Sequence, residues 1–333
     1  MIDATVIRWP WLRLARRGSN AAGHLGEAVG VLVAMSVLVF LMIPLFPGDP
    51  ARVVLAAQAT EMPTEAAVEL KRHELGLDRP LAVQYGDWVT GLVRGDLGRS
   101  WISNTPVLRL LGERVPATLL LSGLGLIIAL TLTLVVGLVA AARPGGAIDR
   151  ISQGAMVLTG ALPAFVLGLL ALQFVVRGLG IGSVVPDGTV RTAWTPACVL
   201  GLSMAAAWVR PFRALAVDAL GAVHVEIARS RGASTAWVLV VHVLPNALVG
   251  FLPFVALGVG ALMGGSLFVE AVFTWPGLGP FLFEAIADHD VPVIQGYALM
   301  ATLAYFLSAE VSDGLARLLD PRLRPSRGTA RDG

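Results

Sequence analysis

Polar and apolar positions along the chain fall into long blocks rather than an alternating pattern. Six stretches carry no Asp, Glu, Lys or Arg: residues 28–48, 115–142, 151–176, 192–209, 232–269 and 291–309. A helix needs about 20 mostly apolar residues to cross a bilayer core about 30 Å thick. Five stretches are close to that length. The fifth, 232–269, is nearly twice as long and predicts a span plus interfacial or turning backbone. Between the first two stretches lies a polar insert, residues 49–114. Pro63 is placed for the first turn of a helix there, with Glu65 and Glu69 suiting its N-terminal half and Gly76 able to end it in a left-handed cap. After Pro80, Leu81, Tyr85, Trp88 and Leu92 recur at helical spacing and predict a second helix with one apolar face. Gly91, Gly95 and Gly98 then interrupt the pattern.

Composition agrees with membrane crossing. Hydrophobic residues make up 56% and charged residues 14% of 333 positions, against about 45–50% and 25% in soluble domains. A net charge of +2 gives no reason to expect nucleic acid. The single cysteine, Cys198, rules out an intramolecular disulfide and CxxC metal sites. Basic residues set the expected orientation. With the N-terminus cytoplasmic, the inner segments hold Arg8, Arg13, Arg16, Arg17, Arg143, Arg150, Arg210, Arg213, Arg229 and Arg231, and the tail adds five more arginines. The short outer loops hold only Arg177 and Arg191. The organisation expected is a cytoplasmic segment at 1–27, a first span at 28–48, an extracytoplasmic insert at 49–114, a core of five spans at 115–313 and a cytoplasmic tail at 314–333. The basic, Trp-bearing stretch 7–17 suits either a segment on the inner membrane surface or a free tail. The first apolar run is too long for a cleaved leader and lacks an A-x-A site.

The inner loop at 210–237 reads RPFRALAVDALGAVHVEIARSRGASTAW. Leu215, Leu220, Val223 and Ile227 fall roughly on one helical face, with Asp218, Glu226 and Arg229 mostly elsewhere. Gly232 can reverse the chain, and Pro245 can bend the next span. Two readings are open: a cytoplasmic knob that transmits force to the spans, with Ala228 allowing close approach and Glu226, Arg229 and Arg231 offering charged contacts, or an amphipathic loop lying on the membrane. Beyond the fifth run, Glu270, Glu284, Asp288 and Asp290 carry no compensating Lys or Arg, and Trp275-Pro276-Gly277 predicts a tight turn. A negative outer vestibule would attract cationic peptide termini or a partner protein, and plain solvation is the alternative.

Other chemistry finds little footing. His24, His73, His224, His242 and His289 are scattered without ligand spacing, and no G-x4-G-K-[ST] phosphate loop exists. Ser266, in Gly264-Gly265-Ser266, has no embedded histidine clearly partnered with it, which disfavours a membrane hydrolase. An ion-coupled carrier would want ionisable groups at mid-depth, and the six runs contain none.

The spacing Glu226-x-Ala228-x3-Gly232, followed at Leu244-Pro245, resembles the ATPase-coupling signature of ABC importer permeases, E-A-A-x3-G-x9-I-x-L-P, with Ile227 and His242 departing from the pattern. PGDP at 47–50, HELGLDRPLAVQY at 73–85, RGDLGRS at 94–100, ERVPATL at 113–119, VEAVFTWPGLG at 269–279 and LLDPRLR at 318–324 extend the resemblance over nearly the whole chain. Together they are similar to the first permease of dipeptide, oligopeptide and nickel importers. The resemblance implies an all-α, six-span type I importer permease in the bacterial inner membrane. It also implies a second, similar permease, two cytoplasmic ABC ATPases that hold the ATP and Mg, and an extracytoplasmic substrate-binding protein. This chain itself would bind no cofactor and catalyse no reaction. Peptides are the expected cargo, with nickel chelates or opine-like solutes as alternatives. The coupling residues so implied are Glu226, Ala228, Arg229, Arg231, Gly232, Leu244 and Pro245.

Overall fold

A computed structural model describes residues 21–42, 48–58, 63–183 and 186–319, and these residues are helical throughout apart from turns and one isolated bridge between Arg99 and Pro106. The expectations for 7–17, for Pro47 and for the arginines of the tail beyond Leu319 lie outside the described residues. The helices are α1 (Ala21–Phe40), α2 (Pro50–Gln58), α3 (Glu65–Glu74), α4 (Leu81–Val93), α5 (Val107–Ala142), α6 (Ala147–Gly160), α7 (Ala164–Leu170), α8 (Val190–Leu220), α9 (Val223–Ser230), α10 (Thr235–Val238), α11 (Leu244–Phe273), α12 (Leu278–Ala287) and α13 (Val291–Leu319). Wider π-type turns at Ala171–Gly178 and Leu239–Val243 extend α7 and join α10 to α11.

Four described helices are long and apolar enough to cross a membrane: Val107–Ala142, Val190–Leu220, Thr235–Val255 and Val291–Ser308. Two sharply bent pairs raise the number to six: Ala147–Gly160 with Ala164–Gly178, bent by 100°, and Leu257–Phe273 with Leu278–Ala287, bent by 79°. The third run, 151–176, is therefore not one straight helix. Pro163 has no N–H and disfavours helix at the residue before it, so the chain turns at 161–163. The fourth run does not end at Arg210: α8 continues through Pro211 to Leu220. Glu270, taken from sequence as lying beyond the fifth run, sits inside α11. Helix α1 begins at Ala21 rather than residue 28 and thus takes in Glu27.

Packing follows membrane rather than aqueous rules. On α5 the exposed positions include Leu119, Ile127 and Val135, whereas the buried ones include Gly125, Ala129, Thr133, Gly137, Ala140 and Ala141. Small residues let backbones approach while the large aliphatic ones meet lipid. The crossing of α5 and α8 shows the effect: a Cβ on Gly201 would stand 2.6 Å from Ile128 Cγ2 and 2.9 Å from the Gly125 carbonyl oxygen. Three apolar clusters hold the bundle. One joins Leu121, Leu200, Leu262, Phe273 and Trp275; a second joins Trp208, Phe212, Val225, Val238 and Phe251; a third, beside the insert, joins Val107, Leu111, Leu278 and Val293.

The insert departs from expectation at its first helix. Thr64, not Pro63, is the cap, its Oγ1 accepting from the Ala67 N–H at 3.4 Å. Gly76 ends the segment at φ +69°. On α4, Tyr85 and Trp88 pack against Phe40 of α1, with ring centroids 5.2 and 5.9 Å away, so the middle of the expected apolar face docks on the bundle, while Leu81 at its start stays exposed.

At the opposite end, Arg213 of α8 grips Asp149 of α6 through two bonds, Nε to Oδ1 at 3.0 Å and Nη2 to Oδ2 at 2.6 Å, and Asp149 also accepts from the Gly145 N–H. The Asp149 side chain is 6% exposed and that of Arg213 25%. Removing one member of a fully buried pair costs about 3–5 kcal/mol. With Arg213 partly wetted, Asp149→Ala is expected to cost about 2–3 kcal/mol, seen as a lower melting temperature of the detergent-purified protein. Asp149→Asn, which still accepts from Gly145, should lose less. An unchanged melt in both would show the pair to be idle.

Candidate functional site

Helix α8 stops at Gly221, whose N–H bonds the Asp218 carbonyl, and Ala222 leads directly into α9. The loop is thus a long span followed by a separate two-turn helix. Leu215 and Leu220 belong to α8; Val223 and Ile227 belong to α9 and face outward, 71% and 48% exposed. The face expected to be apolar is corrected accordingly. The buried residue of α9 is Val225, fully enclosed, with Ala228 half-buried beside it, both packed in the cluster that contains Phe212, Val238 and Val243. A helix of two turns cannot hold itself together, so this anchor is what fixes α9 in the cluster that α8, α10 and α11 share.

Arg231 and Gly232 end α9. Gly232 takes φ +87°, its N–H bonds the Arg229 carbonyl at 2.9 Å, and the Ala233 N–H reaches back to Ala228 at 3.1 Å. Ser234 then caps α10, its Oγ accepting from the Trp237 N–H at 3.3 Å. Leu244 is half-buried against the same cluster, and exposed Pro245 stands in the first turn of α11 directly after the π-type turn. Glu226, Arg229 and Arg231 are exposed and form no ion pair with any other described residue. Between α9 and α10 opens a cavity of about 650 Å³ lined by His224, Ile227, Arg231, Gly232, Trp237 and His242 among others. The His242 ring lies 4.9 Å from Trp237 and 5.5 Å from His224. Sequence reading set His224 aside as a scattered histidine and passed over Trp237. The signal available for Trp237 was the capping Ser234 three residues before it.

The five residues considered for an outer vestibule do not share one surface. Glu284 and Asp288 are exposed, as a vestibule requires. Glu270 and Trp275 are completely buried. Glu270 Oε2 accepts from the Gly279 N–H at 2.7 Å, the Leu278 N–H bonds Thr118 Oγ1 at 2.9 Å, and Trp275 Nε1 donates to the Ala117 carbonyl at 2.9 Å. Thr274, at φ +53°, makes the reversal between α11 and α12. These groups tie that reversal to α5. Asp290, 5% exposed, accepts from Ser100 Oγ at 2.5 Å and from the Trp101 N–H at 3.0 Å, pinning the insert to the start of α13. Burial pushes its carboxyl above the usual range while those hydrogen bonds oppose the shift. Among the described residues no group of three His, Cys, Asp or Glu side chains could hold a metal.

Comparison with known proteins places this geometry. The family described as binding-protein-dependent transport system inner membrane component matches residues 133–325, and the N-terminal family of the same systems matches 23–122. The glutathione transport system permease protein GsiC of Escherichia coli O6:H1 is 36% identical over 296 residues, covering 89% of this chain and 95% of that protein. GsiC of Salmonella choleraesuis is 34% identical with the same coverage. Among solved structures, the MetNI methionine ABC transporter in an inward-facing conformation aligns with a TM-score of 0.51 at 21% identity, over 64% of this chain and 97% of that one.

Proposed function

The chain belongs to the family of binding-protein-dependent transport system inner membrane components, and from that premise we propose that it carries short peptides, glutathione-like tripeptides among them, inward across the membrane. It is an ABC importer permease subunit and a multi-pass inner membrane protein. The peptide cargo draws support from the GsiC relatives, whose printed role is glutathione transport. In this reading a second, similar permease completes the pathway, two ATPases dock on the α9 end, and a binding protein delivers cargo at the end that bears the insert. Both chain termini are cytoplasmic, which fits the arginines gathered in the segments beside α6, α8 and α9.

The observation that carries the mechanism is the mounting of α9. Its charged side is exposed, while Val225 is buried in a cluster that also holds residues of α8, α10 and α11. A displacement of α9 by an ATPase is therefore passed to the cluster in which α8, α10 and α11 meet. ATP drives the change because it binds the closed ATPase pair better than the open one, and only such a difference can shift the spans between inward- and outward-open states. The reading is tested in vesicles holding the complete transporter. Uptake of labelled glutathione or dialanine should stop when ATP is withdrawn and continue when an ionophore collapses the ion gradients. Uptake that follows the gradients instead would replace this reading with ion-coupled carriage.

A further inference from the structure

The cavity between α9 and α10 has a chemistry that the coupling role of α9 does not use. Arg231 borders it, exposed and without an ion pair to any other described residue. His224 and His242 border it as well, their ring centroids 5.5 Å apart. A neutral imidazole offers one N–H and a charged one two. Ser234 adds a hydroxyl: its Oγ accepts from the Trp237 N–H, which leaves its own hydrogen to donate. No Asp or Glu lines this cavity among the described residues, and Glu226, exposed on the same helix, is not part of the wall. Donors gathered around one guanidinium, with no carboxylate to answer it, fit an anion.

Position decides which anion. The stretch Thr235–Val255 is long and apolar enough to cross a membrane, and it begins at this cavity. Trp237 and His242 stand about 3 and 10 Å beyond its first residue along a helix. The interfacial layer on each face of a bilayer is roughly 5–7 Å thick. With the span entering the bilayer at Thr235, the cavity lies at the level of the headgroups, where tryptophan is enriched. Between Trp237 and His242, Val240 and Val241 are 59% and 45% exposed, an apolar surface that acyl chains would cover. Basic pockets at the inner ends of spans take acidic lipid heads.

We infer that the cavity holds the phosphate of an anionic phospholipid of the inner leaflet. Arg231 is its cationic partner, the two histidines and Ser234 are further donors, and the acyl chains run along Val240 and Val241. The inference rests on the cytoplasmic placement of α9 in the reading above. It also gives the lipid a place in the coupling joint. Arg231 ends α9, and His242 lies in the π-type turn that leads into α11. One phosphate held by both would tie the helix that meets the ATPase to a membrane span.

The test uses the complete transporter in phosphatidylcholine vesicles with added phosphatidylglycerol, one of the two lipids carrying bromine on its acyl chain. Bromine quenches tryptophan fluorescence on contact, so a lipid gives the signal and free phosphate does not. The difference between wild type and Trp237→Phe isolates the emission of Trp237. Its quenching should show phosphatidylglycerol preferred over phosphatidylcholine about fivefold, the effect of one basic side chain at a charged membrane surface. Arg231→Gln should bring the preference close to one, and Arg231→Lys should keep most of it. His242→Ile, which places there the isoleucine of the importer pattern, should lower it. Arg229→Gln is the control: Arg229 is exposed on the same helix but outside the cavity wall, so its loss should change the preference little. Both arginines are exposed, so folding should survive either substitution. Equal quenching by the two lipids in wild type overturns the inference and leaves the cavity to a carboxylate of the docked ATPase. Equal losses in Arg229→Gln and Arg231→Gln overturn it too, because general surface charge would then account for the preference. The quenching needs no transport, and the vesicles hold both lipids in both leaflets. Its failure is therefore distinct from a failure of the peptide reading or of the orientation.

Discussion

Gly232→Asp should abolish ATP-dependent uptake while leaving the protein folded in the membrane. The two halves of that result have different physical origins. A Cβ built on Gly232 meets nothing within 4 Å, so no atom is displaced by the larger residue. What changes is the backbone. At φ +87° a non-glycine residue in a strained conformation costs roughly 1–3 kcal/mol, and the chain relieves that strain by shifting the exit from α9. The exit is also where the bonds from Gly232 to Arg229 and from Ala233 to Ala228 close the helix. A carboxylate is added at the same time beside Arg231, on the rim of the cavity between α9 and α10. The exposed side of α9 is altered, but the cluster around Val225 is not. Uptake in reconstituted vesicles should fall to background, whereas the melting temperature should drop only by the amount the strain explains. Gly232→Asn, which tolerates left-handed backbone better, should retain measurable uptake. Unchanged uptake in the aspartate variant would sink the coupling role given to α9.

Gly279→Ala is expected to do the reverse and prevent folding. Its Cβ would stand 2.4 Å from the carbonyl oxygen of Leu267 and 2.9 Å from Glu270 Cβ. The first obstacle is backbone within α11 and cannot swing aside as a flexible side chain can. Helices α11 and α12 must therefore part, and parting them breaks the Gly279 N–H bond to Glu270 inside a site from which water is excluded. Overpacking and a buried carboxyl oxygen left without its donor together cost about 4 kcal/mol, a large part of a typical total stability of about 5–15 kcal/mol. Little folded protein should be recovered from membranes. Glu270→Gln, which keeps an acceptor at the same position, should be much milder. Equal yields for Gly279→Ala and wild type would show that the reversal is looser than its geometry implies.

Charge-free runs located the spans well because lipid excludes charge along the whole length of a crossing. The same criterion fails wherever charge and helix end do not coincide. Arg210 and Glu270 were read as boundaries, yet α8 runs ten residues past the first and α11 encloses the second. Glu270 was not visible as interior because a group that accommodates it is distant in sequence. Thr118, whose hydroxyl accepts from Leu278 beside Glu270, is 160 residues from that partner. The break at 161–163 was legible in Leu162-Pro163, but a count of charges does not register proline. On α9, helical spacing grouped Val223 with Ile227, and the neighbouring cluster instead took up Val225 and Ala228. Periodicity gives the faces of a helix; which face is buried depends on the cavity it meets. Gly232, by contrast, needed only its own backbone to be read correctly.

The bond from Ser100 and Trp101 to Asp290 has a further consequence, for the order in which the chain matures. The two ends of this lock are separated by 190 residues. Ribosomes add about 5–20 residues per second, so the insert is finished roughly 10–40 s before the aspartate that pins it is made. During that interval the turn at Ser100 lacks the Asp290 carboxylate, and the helices from α5 to α12 are made first. Assembly of this permease thus closes from its last helix back onto its first loop.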